Sequence, residues 1–484
     1  MNDPAVQATR NLLKEALAPA PDADTSTPDL RTMFTPSSHR LALDPDVTVV
    51  RGARGTGKTY WAKALTDPDL RRVAAKSYMM PRLERTDVIT AFGGTDPVLG
   101  GKRTIADLVK AGVEPRDLWS AVVLMALGQP EVQGLETWTD RIEWTRHNGE
   151  KYEAALRRAD REARDQKQTL ILLFDTLDHL HHDRRQLDLL LAGLFEVALE
   201  LRLTTGALRA KIFVRPDMYD SAPRDFADAS KLGANATDLS WSRENLYGLL
   251  FHRLGNHTSK QAEEFRRDTG TWSLEGPGRY VAPVDVIADQ KRQEQEFIKL
   301  AGQFMGTDRR KGHTYTWVPN HLQDGLGRVS PRTWLLTLFR SAELTAEKWA
   351  SHPTPLHYDA IRESLSNSAS LRVDELKDDI GWAAAAVEAL SGTQVPMERS
   401  AVRFAWDSKG LRTAISQLVA DGERGSGPRG RDGEGALVHA EVIRELLDLG
   451  VMTERTNGAI DLPDIYRLAF NIGRKGGVAR KPVI

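Results

Sequence analysis

The sequence predicts an α/β protein: a three-layer core around a parallel sheet, followed by a helical lid and a C-terminal winged-helix-like domain. Two observations predict the core. A glycine-rich loop lies between a short apolar strand and a helix within residues 47–65. A continuous apolar run, residues 169–174, ends in Asp175, and such runs are typical of parallel strands covered on both faces. A helix and hairpin pattern near the C-terminus predicts the last domain.

The glycine-rich loop matches G-x-x-x-x-G-K-[ST] in full. Its glycines let successive N–H groups turn toward one anion, and the following helix points its positive end at the same place. The loop therefore predicts a P-loop NTPase core that binds a nucleoside triphosphate, since a chance lysine after a glycine turn does not account for the full motif and its flanks. The predicted nucleotide-binding residues are Gly52, Ala53, Arg54, Gly55, Thr56, Gly57, Lys58, Thr59 and Tyr60.

Two of these residues have distinct predicted roles, and a third group lies far away in the sequence. Lys58 is expected on the β- and γ-phosphates, and the Thr59 hydroxyl on Mg²⁺. Asp175 is the expected second metal ligand, because ligands bind at the carboxyl ends of the strands in such sheets. The alternative for Asp175 is a core strand that ends in a helix-capping aspartate.

Composition narrows the class of protein. The 484 residues carry a net charge of −1 and no cysteine, which excludes disulfides and thiolate zinc sites and gives no global signature of nucleic-acid binding. No run of 18 apolar residues and no signal-peptide core is present. We therefore expect a cytoplasmic protein without a membrane partner.

Further along the chain, four regions are expected: an N-terminal helix and linker (1–40), a P-loop ATPase core (41–255), a helical lid (256–395) and a winged-helix-like domain (396–484). The last contains a flexible glycine-rich loop at 422–435, a helix from Val438 to Leu449 and a two-residue hairpin turn at Asn457-Gly458. The basic tail from Asn471 to Ile484 either contacts phosphates or an acidic protein. Alternatively, the winged helix serves only for packing.

In order, the motifs resemble the bacterial STAND and AAA+-like P-loop ATPases of the additional-strand class, with a likeness to the KAP group. The residues that carry the resemblance are the glycine-rich loop, LILLFDTLDHL (170–180), KIFVRPDMY (211–219), DLSWSRENLYGLL (238–250) and GRVSPRTWLL (327–336). The resemblance implies ATP and Mg²⁺ as ligands. It also implies a homo-oligomer or a nucleotide-driven switch, with roles in signalling, phage defence or DNA transactions.

The resemblance also implies three catalytic residues. Many related ATPases carry Glu directly after the metal-binding Asp, whereas this chain has Thr176, so Asp178 becomes the candidate base. Arg215, after the strand Ile212–Val214, is in the position of a phosphate sensor or else forms an ion pair with Asp217 or Asp220. Arg332, which follows Pro331 at a helix start, is in the position of a lid arginine or else is an ordinary surface arginine.

Two functions follow as hypotheses. The first is an ATP-hydrolysing switch or motor that acts on a protein or DNA partner. The second is a DNA-binding ATPase of the origin or partition type that uses the winged helix and basic tail. A small-molecule kinase is disfavoured by chain length, and a GTPase by the absence of an N-K-x-D tetrapeptide.

Overall fold

The computed structural model describes residues 3–19, 28–94, 97–276, 278–420, 427–428 and 438–475. The chain divides into two compact units. One contains residues 24–240, and the other combines residues 1–23 with 241–484. The predicted region boundaries at residues 40, 255 and 395 remain predictions.

The unit of residues 24–240 is built on a five-stranded parallel sheet. Its strands are β1 (Val49–Arg51), β2 (Thr86–Phe92), β3 (Thr169–Phe174), β4 (Leu208–Val214) and β5 (Ala236–Asp238). The spatial order is β2-β3-β4-β1-β5. Strand β4 therefore lies between β1, which precedes the glycine-rich loop, and β3, which precedes Asp175. This is the extra central strand that the additional-strand resemblance implies, and the predicted α/β fold with a parallel P-loop sheet is confirmed.

Helices cover both faces of this sheet and give it three layers. On one face Val50, Leu173 and Phe213 pack with Trp61 and Leu70. On the other face, apolar residues at the alternate positions of the same strands pack against the helices Pro115–Ala126 and Arg184–Thr204. Because successive strand residues point to opposite faces, both sets of apolar residues are buried.

The remaining helices of this unit are Arg40–Leu43, Lys58–Thr66, Pro68–Ser77, Pro81–Glu84, Lys102–Lys110, Pro130–Gln133, Trp138–His147, Gly149–Asp165, Pro216–Ser221 and Ala229–Ala234, with 3₁₀ turns at Ser37–His39 and Leu177–His179. The segment from Trp138 to Lys167 is highly charged and has an amphipathic pattern, and the structure forms two helices there, separated at Asn148. The side chain of Asn148 donates to the Trp144 carbonyl (2.8 Å), which ends the first helix in place of a further backbone bond.

A buried lysine fixes the amino end of the central strands. The Lys211 side chain on β4 is fully buried, and its ammonium group donates to the carbonyls of Asp44 and Val47, both at 2.6 Å. Burial lowers the pKa of Lys211 to about 7, against the opposing charges of Asp44 and Asp46. These bonds hold the chain that enters β1 against β4, and so position the glycine-rich loop at the other end of β1.

The second unit is mainly helical. Its helices are Pro4–Ala16, Arg243–Gly255, Lys260–Thr269, Val284–Ala288, Gln290–Ala301, Thr314–Leu322, Pro331–Lys348, Tyr358–Asp379, Gly381–Glu388, Arg399–Ser408, Leu411–Ala420, His439–Asp448 and Asp464–Arg467, with a 3₁₀ turn at Arg309–Lys311. Three two-stranded sheets join it: Ser273–Glu275 with Arg279–Val281, Gln394–Val395 with Gly473–Arg474, and Thr453–Glu454 with Ile460–Asp461. Ser242 caps the helix Arg243–Gly255, since its hydroxyl accepts from the Asn245 amide (3.2 Å).

The C-terminal hairpin differs from its prediction by one residue. The Arg455 amide donates to the Ala459 carbonyl (2.8 Å). The Gly458 amide donates to the Arg455 carbonyl (3.0 Å) and closes a tight turn, and Gly458 itself has φ of +82°. The loop therefore has three residues, a tight turn followed by a left-handed glycine, rather than two. Met397, before the helices of this region, bridges Ile460 in the hairpin. The winged-helix assignment of this region stays a prediction.

Two predicted features lie wholly or partly outside the described residues. Residues 422–426 and 429–435 of the predicted glycine-rich loop lie outside the described residues, and so does the basic tail from residue 476 onward. Among the described residues, no helix is both long enough and apolar enough to cross a membrane.

Candidate nucleotide-binding site

The glycine-rich loop follows β1 directly and ends where the helix Lys58–Thr66 begins. We call this helix the P-loop helix. Gly55 and Gly57 have φ of +77° and +105°, a left-handed conformation that glycine adopts without steric cost. The Gly52 amide donates to the carbonyl of Val214 at the end of β4 (3.0 Å). The loop thus begins beside the carboxyl end of the central strand.

Gly52 leaves room for the side chains that fold over the loop. A Cβ atom on Gly52 would lie 2.6 Å from the Thr56 hydroxyl and 3.0 Å from Cγ of Lys58. The Lys58 ammonium group donates to the carbonyls of Gly52 (2.9 Å) and Ala53 (3.3 Å). The Thr56 hydroxyl also donates to Ala53 (2.8 Å). The lysine therefore lies across the loop, close to the amides that a phosphate would contact.

Arg54 lies at the centre of the loop and Tyr60 in the first turn of the P-loop helix. The Tyr60 ring packs edge-on against Trp61, with ring centroids 5.5 Å apart.

Asp175 meets the P-loop helix from the end of β3. Its residue is 4% exposed, and the Thr59 hydroxyl and the Thr176 amide hydrogen-bond to its carboxylate. Burial raises the pKa of Asp175, against the opposing effects of Thr176, Lys58 and Thr59, while the negative charge of Asp178 raises it further. The structure thus brings Asp175 next to Lys58 and Thr59, two neighbouring residues that precede it by more than 100 positions in the sequence.

One carboxylate oxygen of Asp175 is suited to bind a cation. Oδ1 is buried and has no hydrogen-bond partner among the described residues. A buried acceptor left in this way costs about 1–3 kcal/mol, and a hard divalent cation with oxygen ligands removes that cost. The residues present therefore fit Mg²⁺, which Asp175 and the hydroxyl of Thr59 would hold.

The residue after Asp175 has an unusual backbone. Thr176 has φ of +52° and ψ of +36°, a conformation that is rare for a β-branched residue and stores about 1–3 kcal/mol. It leads into the 3₁₀ turn Leu177–His179, which carries Asp178. The Asp178 side chain is 39% exposed and lies 3.8 Å from Nε2 of His179. The negative charge of Asp178 contributes to the raised pKa of Asp175.

Arg215 lies at the end of β4 and forms an ion pair with Asp217. Its Nε and one terminal nitrogen lie 3.0 Å from the two carboxylate oxygens. Arg184, the first residue of the helix after β3, contacts the same carboxylate at 3.0 Å. Burial opposes the ionisation of Asp217, but the two arginines outweigh it, so the pKa of Asp217 lies well below its ordinary value. Of the two acids proposed from the sequence, Asp217 is the partner.

The other candidate arginine, Arg332, has a defined partner. It lies in the second unit and pairs with the buried carboxylate of Glu375 (3.1 Å), which Arg372 also contacts (3.0 Å). The catalytic roles of Asp178, Arg215 and Arg332 stay predictions.

Sequence reasoning missed two residues at this site. Gly93 follows β2 with φ of +89°, and a Cβ atom there would lie 2.5 Å from the Asp175 carbonyl oxygen. The Gly93-Gly94 pair after an apolar strand was the available signal. Arg184 had no signal, because its contact with Asp217 depends on the fold.

Comparison with known proteins identifies no relative in sequence. No protein-family profile matches the chain, and no curated protein is similar to it. Among solved structures, Cdc6p from Pyrobaculum aerophilum is 12% identical, with 94% of each chain covered and a TM-score of 0.33. The Aeropyrum pernix ORC2 protein in its ADPNP–ADP complexes is 13% identical, with 88% of this chain and 86% of that one covered and a TM-score of 0.37.

These similarities are too low to carry an argument about the site. The fold assignment rests instead on the strand order, the loop after β1 and the aspartate after β3. The chain has an α/β P-loop fold with a five-stranded parallel sheet.

Proposed function

We propose that this protein binds ATP with Mg²⁺ at the loop of residues 52–59 and hydrolyses it slowly, as a nucleotide-dependent switch. The unpartnered, buried Oδ1 of Asp175 beside Thr59 and Lys58 carries the proposal. An uncompensated buried carboxylate oxygen next to a phosphate-binding loop is explained by a bound cation and is costly otherwise. The bound Mg²⁺ would supply charge neutralisation on the phosphates.

The residues around the loop have distinct parts in this proposal. The loop amides and Lys58 bind and orient the phosphates, and Thr59 and Asp175 hold the cation. Asp178 accepts a proton from the attacking water. Arg215 stabilises charge on the γ-phosphate. Hydrolysis is slow because Thr176 follows Asp175 directly, at the position where many related enzymes carry Glu. The candidate base, Asp178, lies instead in the 3₁₀ turn that follows.

Calorimetry with ATP tests the binding step. Lys58→Ala should reduce the affinity for Mg-ATP at least about 100-fold, since it removes a charge-assisted contact in the loop. Lys63→Ala is a matched control, because it removes the same charge from the same helix outside the loop. Equal affinity of the Lys58→Ala variant and the wild type would refute the assignment.

The finer class follows from the resemblance to STAND and AAA+-like ATPases. We propose that ATP binding promotes a homo-oligomer and that the protein acts in signalling or phage defence. Sedimentation of the protein with ADP and with a non-hydrolysable ATP analogue tests this, because only the analogue should shift the mass of the particle. A mass that is the same with both nucleotides would argue against oligomerisation as the output.

A second candidate function is a nucleic-acid-binding ATPase, of the origin or partition type. One observation favours it, a short basic hairpin in the second unit. Phe304 pairs with His313, and the Met305 amide donates to the Gly312 carbonyl (2.9 Å). The enclosed 3₁₀ turn carries the exposed Arg309, Arg310 and Lys311, of which Arg310 pairs with Asp308 (3.2 Å). Three consecutive cations on a projecting turn suit the phosphates of a nucleic acid.

The predicted basic tail contributes less to this candidate. Arg474 already pairs with Asp464 (3.2 Å) and lies 3.7 Å from Asp461. Binding to duplex DNA that weakens steeply as salt rises, and weakens further on replacement of Arg309 and Lys311 by Glu, is the expected result. The absence of binding at low salt would leave a protein partner.

A further inference from the structure

A buried chain of hydrogen bonds starts on the P-loop helix, within the unit of residues 24–240. Trp61 lies two residues after the predicted metal ligand Thr59, and its indole N–H donates to Nδ1 of His39 (2.9 Å). The other ring nitrogen of His39, Nε2, lies 3.0 Å from the carbonyl oxygen of Ser240. Trp61 is 2% exposed and His39 is fully buried.

The two contacts fix the chemical form of His39. Because the indole nitrogen of Trp61 only donates, Nδ1 must accept and carries no proton. The proton is therefore on Nε2, which donates to the Ser240 carbonyl. Burial lowers the pKa of His39 to about 4, although the Ser240 carbonyl opposes this effect. The imidazole is thus neutral at ordinary pH and works as a rigid bridge with one acceptor and one donor.

The segment that carries His39 is fastened to the same helices at other points. The Tyr78 hydroxyl donates to the Pro36 carbonyl (3.0 Å), and Nε of Arg40 donates to the Tyr78 carbonyl (3.2 Å). Tyr78 directly follows the helix Pro68–Ser77 and contacts the Trp61 ring (6.4 Å between centroids). The position of His39 is therefore set by the P-loop helix and the helix that follows it.

Ser240 is the far end of the bridge, and its place in the chain is special. It is the last residue of the nucleotide-binding unit, and the chain enters the second unit at Trp241. Its carbonyl accepts from His39 and also from the Ser38 hydroxyl (3.0 Å). The Leu239 amide before it donates to the Arg51 carbonyl at the end of β1 (2.7 Å). Leu239 is thus held by Arg51, which precedes the glycine-rich loop. Ser240 is held, through His39, by Trp61, which follows the loop.

We propose that the Trp61–His39–Ser240 bridge transmits nucleotide binding from the P-loop helix to the connection between the two units, with His39 as a positioning residue. The inference rests on the proposed function. Phosphate and cation would fix the first turn of the P-loop helix at Lys58 and Thr59. Trp61 is on the same helix, so its indole N–H, and with it His39 and the Ser240 carbonyl, would be held more firmly in the nucleotide-bound state.

Hydrogen exchange of the full-length protein tests the bridge. In the wild type, a non-hydrolysable ATP analogue with Mg²⁺ should slow exchange of the amides of residues 239–245 about five-fold, the change expected when one buried hydrogen bond is made firmer. Trp61→Phe removes the donor and keeps an aromatic ring. This variant should bind the analogue within about three-fold of the wild type and lose the nucleotide-dependent change at 239–245.

Three further variants separate coupling from simple loss of packing. Trp119→Phe is a matched control, because Trp119 is equally buried in the same unit and donates to the Leu190 carbonyl (2.7 Å), away from the bridge. Its nucleotide-dependent change should equal that of the wild type. His39→Gln offers an amide oxygen to Trp61 and an amide N–H to Ser240, and should restore much of the change that His39→Leu removes.

Three outcomes would overturn the bridge. They are a wild type that binds the analogue without any change at 239–245, a Trp61→Phe variant that keeps the full change, and a Trp119→Phe variant that loses it equally. The first outcome is measured on the wild type alone, so the proposal can be tested even if a variant fails to fold. A wild type that does not bind ATP would instead refute the proposed function itself, and calorimetry distinguishes that case.

Discussion

Gly93 and Asp175 approach so closely that no other residue fits at position 93 without a shift of the end of β3. The Asp175 amide donates to the carbonyl of Phe92, the residue before Gly93 (3.0 Å). A Cβ atom on Gly93 would lie 2.5 Å from the Asp175 carbonyl oxygen and 2.7 Å from the Thr176 hydroxyl. The end of β2 thus sets the position of Asp175, although β2 carries no predicted ligand.

Gly93→Ala should therefore destabilise the protein by about 1–3 kcal/mol and weaken Mg²⁺-dependent ATP binding at least about ten-fold. Both effects arise because backbone atoms of Asp175 must move. The neighbouring Gly94→Ala is the control: Gly94 also has positive φ (+74°), but its nearest contact would be an ordinary 3.6 Å. Chemical denaturation and calorimetry measure the two effects. Equal losses in both variants would show that positive φ, and not the approach to Asp175, is responsible.

The raised pKa of Asp175 predicts a pH dependence of metal binding. Burial favours the protonated acid, and a proton on the carboxylate competes with Mg²⁺. As pH falls from about 7.5 toward 5, Mg²⁺ affinity in the presence of ATP should drop earlier than expected for an aspartate of ordinary pKa, about 3.9. Titration of Mg²⁺ at several pH values measures this. Asp175→Asn should bind Mg²⁺ weakly at every pH, and a variant that keeps the wild-type profile would remove Asp175 as a ligand.

Asp178→Asn should slow ATP turnover at least about ten-fold, since a positioned base contributes about 10²–10⁴ in rate. ATP affinity should change by less than about two-fold, because Asp178 is outside the loop and the cation site. Steady-state kinetics and calorimetry separate the two effects. Asp225→Asn, an exposed carboxylate elsewhere in the unit, serves as the control. Turnover equal to wild type would exclude Asp178 as the base.

Asp217→Asn should destabilise the protein by about 1–3 kcal/mol, because it removes the charge of the partly buried carboxylate that Arg215 and Arg184 share. Asp220→Asn, an exposed acid three residues away, should stay within about 0.5 kcal/mol of the wild type. Urea denaturation measures both. Similar stability of the two variants would mean that the arginines find other partners.

His39 predicts a loss of stability in mild acid. Its pKa is about 4 in the folded protein and 6.5 ordinarily, so between these values the unfolded chain binds the proton and the folded chain does not. The contribution of His39 to the free energy of unfolding is therefore complete above pH 6.5. It is lost as pH falls toward 4, by about 3 kcal/mol in total. Urea midpoints of wild type and His39→Gln measured across this range should converge at low pH. Parallel curves would contradict the buried neutral state.

The sequence was sufficient for those parts of the fold that depend on neighbouring residues. The apolar run before Asp175 could only be a buried strand, and the loop from Gly52 to Thr59 had its full motif and flanks. The turn at Asn457-Gly458 was recognised, but its length was not, because two- and three-residue loops use the same glycine. The break between two helices at Asn148 has no local signal, since its side-chain bond to the Trp144 carbonyl leaves the amphipathic pattern intact.

By itself, then, the sequence determined that a phosphate-binding loop follows one buried strand and that a carboxylate follows another, because local chemistry and periodicity specify both. Only the tertiary structure decided that these strands lie on either side of β4, that Gly93 presses on Asp175, that Arg215 and Arg184 share Asp217, and that His39 joins Trp61 to Ser240. Each of these pairs is distant in sequence or separated by a turn, and contacts of that kind depend on strand order and helix packing, which no local pattern records.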